Sequence, residues 1–339
     1  MVASTAFLSD NTAGAHPAVL DAVVAASAGS AEPYAEDART AEATDALRTA
    51  FDSPDAEVVY ALTGTGANVA ALAAAVRPWE EILCSDVAHV IVDEAGGVVR
   101  ISGATLTALP SRDGILDPEQ LDRAITTRGI VHHCQPRIVT ITQCTEKGRV
   151  WDPGAIAEFI DHAHALDLLV HVDGARIANA IAALDVAPLA AAGDADIITV
   201  GGTKNGLLLG DALLVRRPVH FDGIRFVHKQ IGHLASKNRF VSAQFNALLR
   251  DGLWLQLAGH ANAMASRLSA GLVAAGVELA VPTDANEVFV NLAAETYAAL
   301  SRYYMLEQPD PMSSVVRFVC SWSTTVDEVD AILATAAAL

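Results

Sequence analysis

Four short segments carry side chains able to do covalent or acid–base chemistry, and each directly follows an apolar run. In Val200-Gly201-Gly202-Thr203-Lys204-Asn205-Gly206 a lysine stands in a glycine-bracketed turn between two Val/Ile/Leu-rich stretches. Burial disfavours the charged form of an amine, so Lys204 suits a neutral or covalently engaged state, such as a Schiff base. The chain holds only four lysines, Lys147, Lys204, Lys229 and Lys237, and any one taken singly is more simply a scattered surface residue. For Lys204 the following GLLLGDALLV weakens that plainer reading, because it leaves little solvent-facing surface.

The second segment is His171-Val172-Asp173-Gly174-Ala175-Arg176, ending an apolar stretch. A carboxylate there can keep a pyridinium nitrogen protonated and its ring an electron sink. The commoner task for an isolated Asp is to cap the helix that follows. Arg176 could pair with Asp173, or use its fork on a substrate carboxylate.

The third segment, Thr63-Gly64-Thr65-Gly66-Ala67-Asn68, leads from an apolar run into a helical one. Glycines and a helix N-terminus make a plausible phosphate cradle. Gly64-x-Gly66-x-x-Val69, with Asp86 about twenty residues on, also approximates a dinucleotide fingerprint and keeps a nicotinamide dehydrogenase in view. Against it, Val69 occupies the third glycine position, and Lys204 and Asp173 go unexplained. The fourth segment, Cys84-Ser85-Asp86-Val87-Ala88-His89, precedes Glu94-Ala95-Gly96-Gly97. A lone strand-end histidine is more often structural than catalytic, and His89 gains weight only if it lies near Lys204 and Asp173. No metal site is expected: His162 and His164 are two apart on a helix and face different ways, and His132-His133-Cys134 lacks partners at ligand spacing.

The elements that must position these residues are legible as a pattern. Short runs EVVYAL (57–62), EILCSDV (81–87), TLTALP (105–110), RIVTITQC (137–144), LLVHVDGA (168–175), DIITVGG (196–202) and DALLVRR (211–217) read as buried strands. Alanine-rich helical stretches, among them 67–76, 152–167 and 177–193, separate several of them. That alternation predicts an α/β fold with a mostly parallel sheet, whose ligands lie outside the carboxyl ends of the strands. The connection between the last two runs is too short for a parallel crossover, so the final strand should be antiparallel. Past about residue 240 the pattern changes to long helices and short strands near ELAVP, EVFVNL and VVRFVCSW. We expect an N-terminal active-site segment at 1–12, a large cofactor domain at 13–245 and a small C-terminal α+β domain at 246–339.

Composition narrows the partners. With 40 acidic against 22 basic residues the formal charge is -18, which repels nucleic acid and anionic lipid. Cys84, Cys134, Cys144 and Cys320 form no C-x-x-C pair or compact framework, and the N-terminus resembles no export signal, so a cytoplasmic location is expected. No apolar stretch reaches the ~20 residues of a membrane span.

Taken in order, Leu8-Ser-Asp-Asn-Thr12, Tyr34-Ala-Glu-Asp37, Thr63-Gly-Thr-Gly-Ala-Asn68, His89 with Glu94-Ala-Gly-Gly97, His171-Val-Asp-Gly-Ala-Arg176, Gly201-Gly-Thr-Lys-Asn-Gly206 and Arg317-Phe-Val-Cys-Ser-Trp322 resemble the threonine aldolases. These belong to the β-eliminating lyase group of fold-type-I pyridoxal-phosphate enzymes. Gly201–Gly206 and the segment 229–240 look closest to bacterial low-specificity L-threonine aldolases that also accept phenylserine. The resemblance implies a seven-stranded sheet flanked by helices and pyridoxal 5'-phosphate as cofactor, with cleavage of L-β-hydroxy-α-amino acids to glycine and an aldehyde. It makes Lys204 the Schiff-base lysine and Asp173 the partner of the pyridine nitrogen. Gly64 and Thr65 would bind the phosphate, helped by Lys229 and Lys237. His89 would stack on the ring near the substrate hydroxyl, Arg176 would also contact the cofactor, and Ser9, Arg176 and Arg317 would hold the substrate carboxylate. A homodimer or homotetramer with shared active sites is implied. Many relatives carry a histidine where this chain reads Thr145-Glu146-Lys147, which leaves His89 as the better candidate base. A related pyridoxal-phosphate lyase or transaminase is the competing reading.

Overall fold

A computed structural model describes residues 5–337. Its strands are β1 (Thr5–Ala6), β2 (Glu57–Ala61), β3 (Glu80–Ser85), β4 (Thr105–Leu109), β5 (Gln135–Thr142), β6 (Leu169–Gly174), β7 (Ile197–Gly201), β8 (Asp211–Val215), β9 (Glu278–Leu279), β10 (Glu287–Asn291), β11 (Tyr304–Met305) and β12 (Val315–Val319). Seven form one sheet in the order β2-β8-β7-β6-β5-β3-β4. Only β8 runs against its neighbours, pairing antiparallel with both β7 and β2, as its short connection requires.

Consecutive residues of the central strands alternate between two apolar layers, because side chains alternate faces along a strand. Val59, Ile82, Ile138, Leu169, Ile197 and Leu213 pack in one layer with the helix Gly64–Ala75. Tyr60, Leu83, Val139, Val170, Ile198 and Leu214 pack in the other, with Phe159 and Ile181 from the helices Pro153–Ala165 and Ile177–Leu184. Every residue of β6, β7 and β8 is buried, which is why these stretches read as continuous apolar runs. Full burial of each such Val, Ile or Leu is worth about 1.5–3 kcal/mol.

Two glycines set how closely the ends of β6 and β7 approach. A Cβ on Gly174 would lie 2.2 Å from the Thr199 carbonyl oxygen, and one on Gly201 would lie 2.1 Å from that of Ala175. The loops carrying Asp173 and Lys204 therefore meet at one end of the sheet.

A separate core joins the small antiparallel sheet β9-β10-β12 to the long helix Leu253–Ala274 and the helix Val326–Ala337 through Val288, Val290, Phe318, Leu268 and Ile332. Phe7 belongs to this core: its N–H donates to the Met305 carbonyl at 2.9 Å and its own carbonyl accepts from Val319 N–H at 2.8 Å. In the segment that follows, Asp10–Thr12, Asp10 reaches Arg176 just beyond the carboxyl end of β6.

Candidate active site

The carboxyl ends of β2, β5, β6 and β7 surround a cavity of about 450 Å³. Its lining includes Gly64, Thr65, His89, Asp173, Arg176 and Lys204. The four segments singled out for their chemistry thus face one crevice, as open α/β sheets arrange their ligand sites.

At the β2 end, Thr63 caps the helix Gly64–Ala75, its Oγ1 accepting from the Gly66 N–H at 3.1 Å. Gly66 is required for a reason other than phosphate approach. A Cβ there would fall 1.9 Å from the His233 ring, which packs over the turn and accepts from the Leu62 N–H at 3.1 Å. Val69 is buried against Gly97, and Asp86, the residue a ribose would need, binds the Ser111 hydroxyl at 2.6 Å away from the cavity.

At the β6 end, Asp173 does not cap the next helix, whose N-cap is Arg176 with no side-chain cap bond. Its Oδ1 accepts from the Ala175 N–H at 3.0 Å and its Oδ2 from Asn68 Nδ2 at 2.7 Å. Arg176 does not pair with Asp173 either. Its Nε and Nη2 hold Asp10 at 2.7 and 3.2 Å, and its Nη1 lies 3.4 Å from Glu287 Oε2. Burial works against this guanidinium's charge, but Asp10 and Glu287 outweigh it and raise its pKa. Burial likewise pushes the Asp10 carboxyl up, and Arg176 with Lys204 more than reverses that shift.

Lys204 sits in a 3-10 turn, Thr203–Asn205, directly after β7, and is half-buried. The turn is held by Asp211 at the start of β8, whose Oδ1 accepts from the N–H groups of Gly202 at 2.8 Å and Thr203 at 3.4 Å. Burial raises the Asp211 pKa. The stretch after the lysine is less enclosed than its composition implies: Leu207 is buried, but Leu208 and Leu209 are 54% and 38% exposed.

His89 opens the short helix His89–Val92, with its side chain 39% exposed. Its Nδ1 lies 2.9 Å from Glu94 Oε1, and this hydrogen bond raises the imidazole pKa against the opposing effect of burial. Glu94 Oε1 also accepts from Asn68 Nδ2 at 2.8 Å, and Glu94 Oε2 is buried without a partner. Glu146, in the Thr145-Glu146-Lys147 stretch after β5, accepts at Oε1 from the His89 N–H and from Thr142 Oγ1, both at 2.8 Å. Burial pushes its carboxyl up to about 7.

The other sequence candidates lie outside the lining. Ser9 Oγ reaches Asp10 Oδ1 at 3.4 Å, and Arg317 Nη1 reaches Glu287 Oε1 at 3.2 Å, so Ser9, Arg176 and Arg317 join one network through these two acids. Lys229 is exposed, its Nζ 4.9 Å over the Tyr34 ring, and Lys237 is exposed as well. Asn68, Asp211 and Glu287 were not singled out from the sequence. A buried asparagine inside an alanine-rich helix was the one available signal, since Asn is a poor helix former.

The residues present fit pyridoxal 5'-phosphate: an amine, a carboxylate facing the same space, a capped glycine turn at a helix N-terminus, and a cavity within the ~300–1,000 Å³ range of cofactor sites. Comparisons with known proteins agree. Residues 6–295 match the beta-eliminating lyase family. The chain is 38% identical over 330 residues to the low specificity L-threonine aldolase of Pseudomonas sp. (strain NCIMB 10558), covering 95% of this chain and 94% of that one. It is 37% identical over 332 residues to the low specificity L-threonine aldolase of Pseudomonas aeruginosa, with the same coverage. The solved structure of Leishmania major threonine aldolase superposes with a TM-score of 0.93 at 28% identity, covering 98% of both chains.

Proposed function

The chain belongs to the beta-eliminating lyase family, and from that premise we propose that it cleaves L-threonine to glycine and acetaldehyde with pyridoxal 5'-phosphate. The observation that carries this reading is the placing of Lys204 and Asp173 on one cavity at the ends of adjacent strands. The cofactor would supply an electron sink for cleavage of the Cα–Cβ bond of the amino acid. The chain supplies the rest. Lys204 would hold the cofactor through its amine, Asp173 would pair with its ring nitrogen, and Gly64 and Thr65 would bind its phosphate through backbone N–H groups, with Lys229 and Lys237 adding positive charge. Arg176 and Arg317, with Ser9, orient the substrate carboxylate; Asp10 and Glu287 keep the arginines in place. His89 Nε2 takes the proton of the β-hydroxyl, while Glu94 holds the other ring nitrogen. Fixing both the carboxylate and the hydroxyl aligns one bond for cleavage and disfavours transamination.

allo-Threonine and phenylserine are further substrates in this proposal, and a cytoplasmic homotetramer is the proposed working form. Among the described residues no helix is long and apolar enough to cross a membrane. Incubation with L-threonine and the cofactor, without any keto acid, should release glycine and acetaldehyde. Product only in the presence of an acceptor would show a transaminase instead. The loaded protein should show a visible band, and borohydride should abolish it while fixing the cofactor covalently onto Lys204.

A further inference from the structure

A series of buried polar side chains lies beneath the cavity with no part in the steps above. Asn68 donates from Nδ2 to both Asp173 and Glu94, while its Oδ1 accepts from Thr199 Oγ1 at 3.2 Å. Thr199 commits its only proton to that bond, so its oxygen must accept from His171 Nε2 at 2.9 Å. His171 Nδ1 in turn accepts from Thr140 Oγ1 at 2.8 Å. Burial holds His171 down at about 4, in keeping with a neutral ring. Every donor therefore points the same way, toward two carboxylates.

Their convergence matters because Glu94 has one engaged oxygen. Oε1 meets both Asn68 and His89, whereas Oε2 is buried and unpartnered. Burial raises the Glu94 pKa, and the hydrogen bonds from His89 and Asn68 to Oε1 oppose that shift and favour the charged form. Without Asn68 it would take up a proton and donate to His89 Nδ1. The imidazole would then carry its hydrogen on Nε2, where it can accept no proton from a substrate.

We propose that Asn68 is a positioning residue: by donating at once to Asp173 and Glu94 it keeps Glu94 an acceptor, so that His89 presents a bare Nε2 to the cavity. The inference rests on the reading of His89 as the base. The charged groups nearest the imidazole are Glu94, Glu146, Asp173 and Lys204, with Arg176 and Asp211 further round the cavity.

The test is NMR of histidine-labelled full-length protein, with and without pyridoxal phosphate. In the wild type, neutral His89 should carry its hydrogen on Nδ1. Asn68→Leu should lower its titration midpoint by about one pH unit or more and move the hydrogen to Nε2. Thr199→Val, which frees the Asn68 amide to turn, should shift the midpoint the same way by less, and Thr199→Ser should restore it. In the loaded enzyme Asn68→Leu should lower kcat at least about tenfold. An unchanged tautomer and midpoint in both Asn68→Leu and Thr199→Val overturns the proposal. Should Asn68→Leu not fold, the Thr199 pair decides alone. A chain that binds no cofactor or spares threonine refutes the functional reading, while the His89 tautomer still answers this question.

Discussion

His89 and Glu146 differ in what their protons do, and the difference can be measured. Replacing His89 by Asn should cut kcat by about 10²–10⁴-fold, the usual worth of a general base, with cofactor binding nearly unchanged. Cofactor loss in parallel with activity would instead mark His89 as a binding residue. Because Glu94 raises the His89 pKa, the neutral base is depleted as pH falls, and the acid limb of the kcat/KM profile should lie above the ordinary imidazole value of ~6.5. Glu94→Gln should move that limb to lower pH; a fixed limb would assign it to another group. For Glu146 the sign concerns stability. Its folded pKa of about 7 is raised, so its favourable contribution is complete below the unfolded carboxyl value of ~4.3 and is lost as pH rises through 7. Glu146→Gln should therefore gain roughly 1–3 kcal/mol over the wild type at pH 8 compared with pH 5, read as a difference in denaturant midpoints.

Among the elements, the paired ends of β6 and β7 govern the site. Gly201 sits under the Ala175 carbonyl with no room for a side chain, so Gly201→Ala must push the two loops apart. A loss of about 1–3 kcal/mol or more is expected in urea melts, together with weaker cofactor binding. A variant as stable as the wild type would show that the loops yield readily. The same closeness holds the Asp173 loop and the Lys204 turn against each other. The β6 and β7 backbones are fixed by pairing on both sides, which limits how far Asp173 and the Lys204 turn can drift.

In the whole molecule, the ion network of Asp10, Arg176, Glu287 and Arg317 ties the N-terminal segment and the small sheet to the rim of the large one. Asp10 and Arg176 are both nearly inaccessible, so Asp10→Ala would leave a buried guanidinium short of its main partner. A destabilisation of about 3–5 kcal/mol follows, visible in chemical denaturation. A change below 1 kcal/mol would mean that Glu287 alone suffices.

The sequence by itself determined the strand runs, the antiparallel final strand and the four segments that converge on the cavity, because periodicity, connection length and strand-end polarity act locally. It did not determine partners. Asp173 read equally well as a helix cap, Arg176 as its ion-pair mate, and the leucines after Lys204 as buried. Tertiary packing decided otherwise: Asn68, 105 residues away in sequence, meets Asp173, and Asp10, 166 away, meets Arg176. Those pairings depend on where separate elements come to rest, and no local spacing encodes that distance.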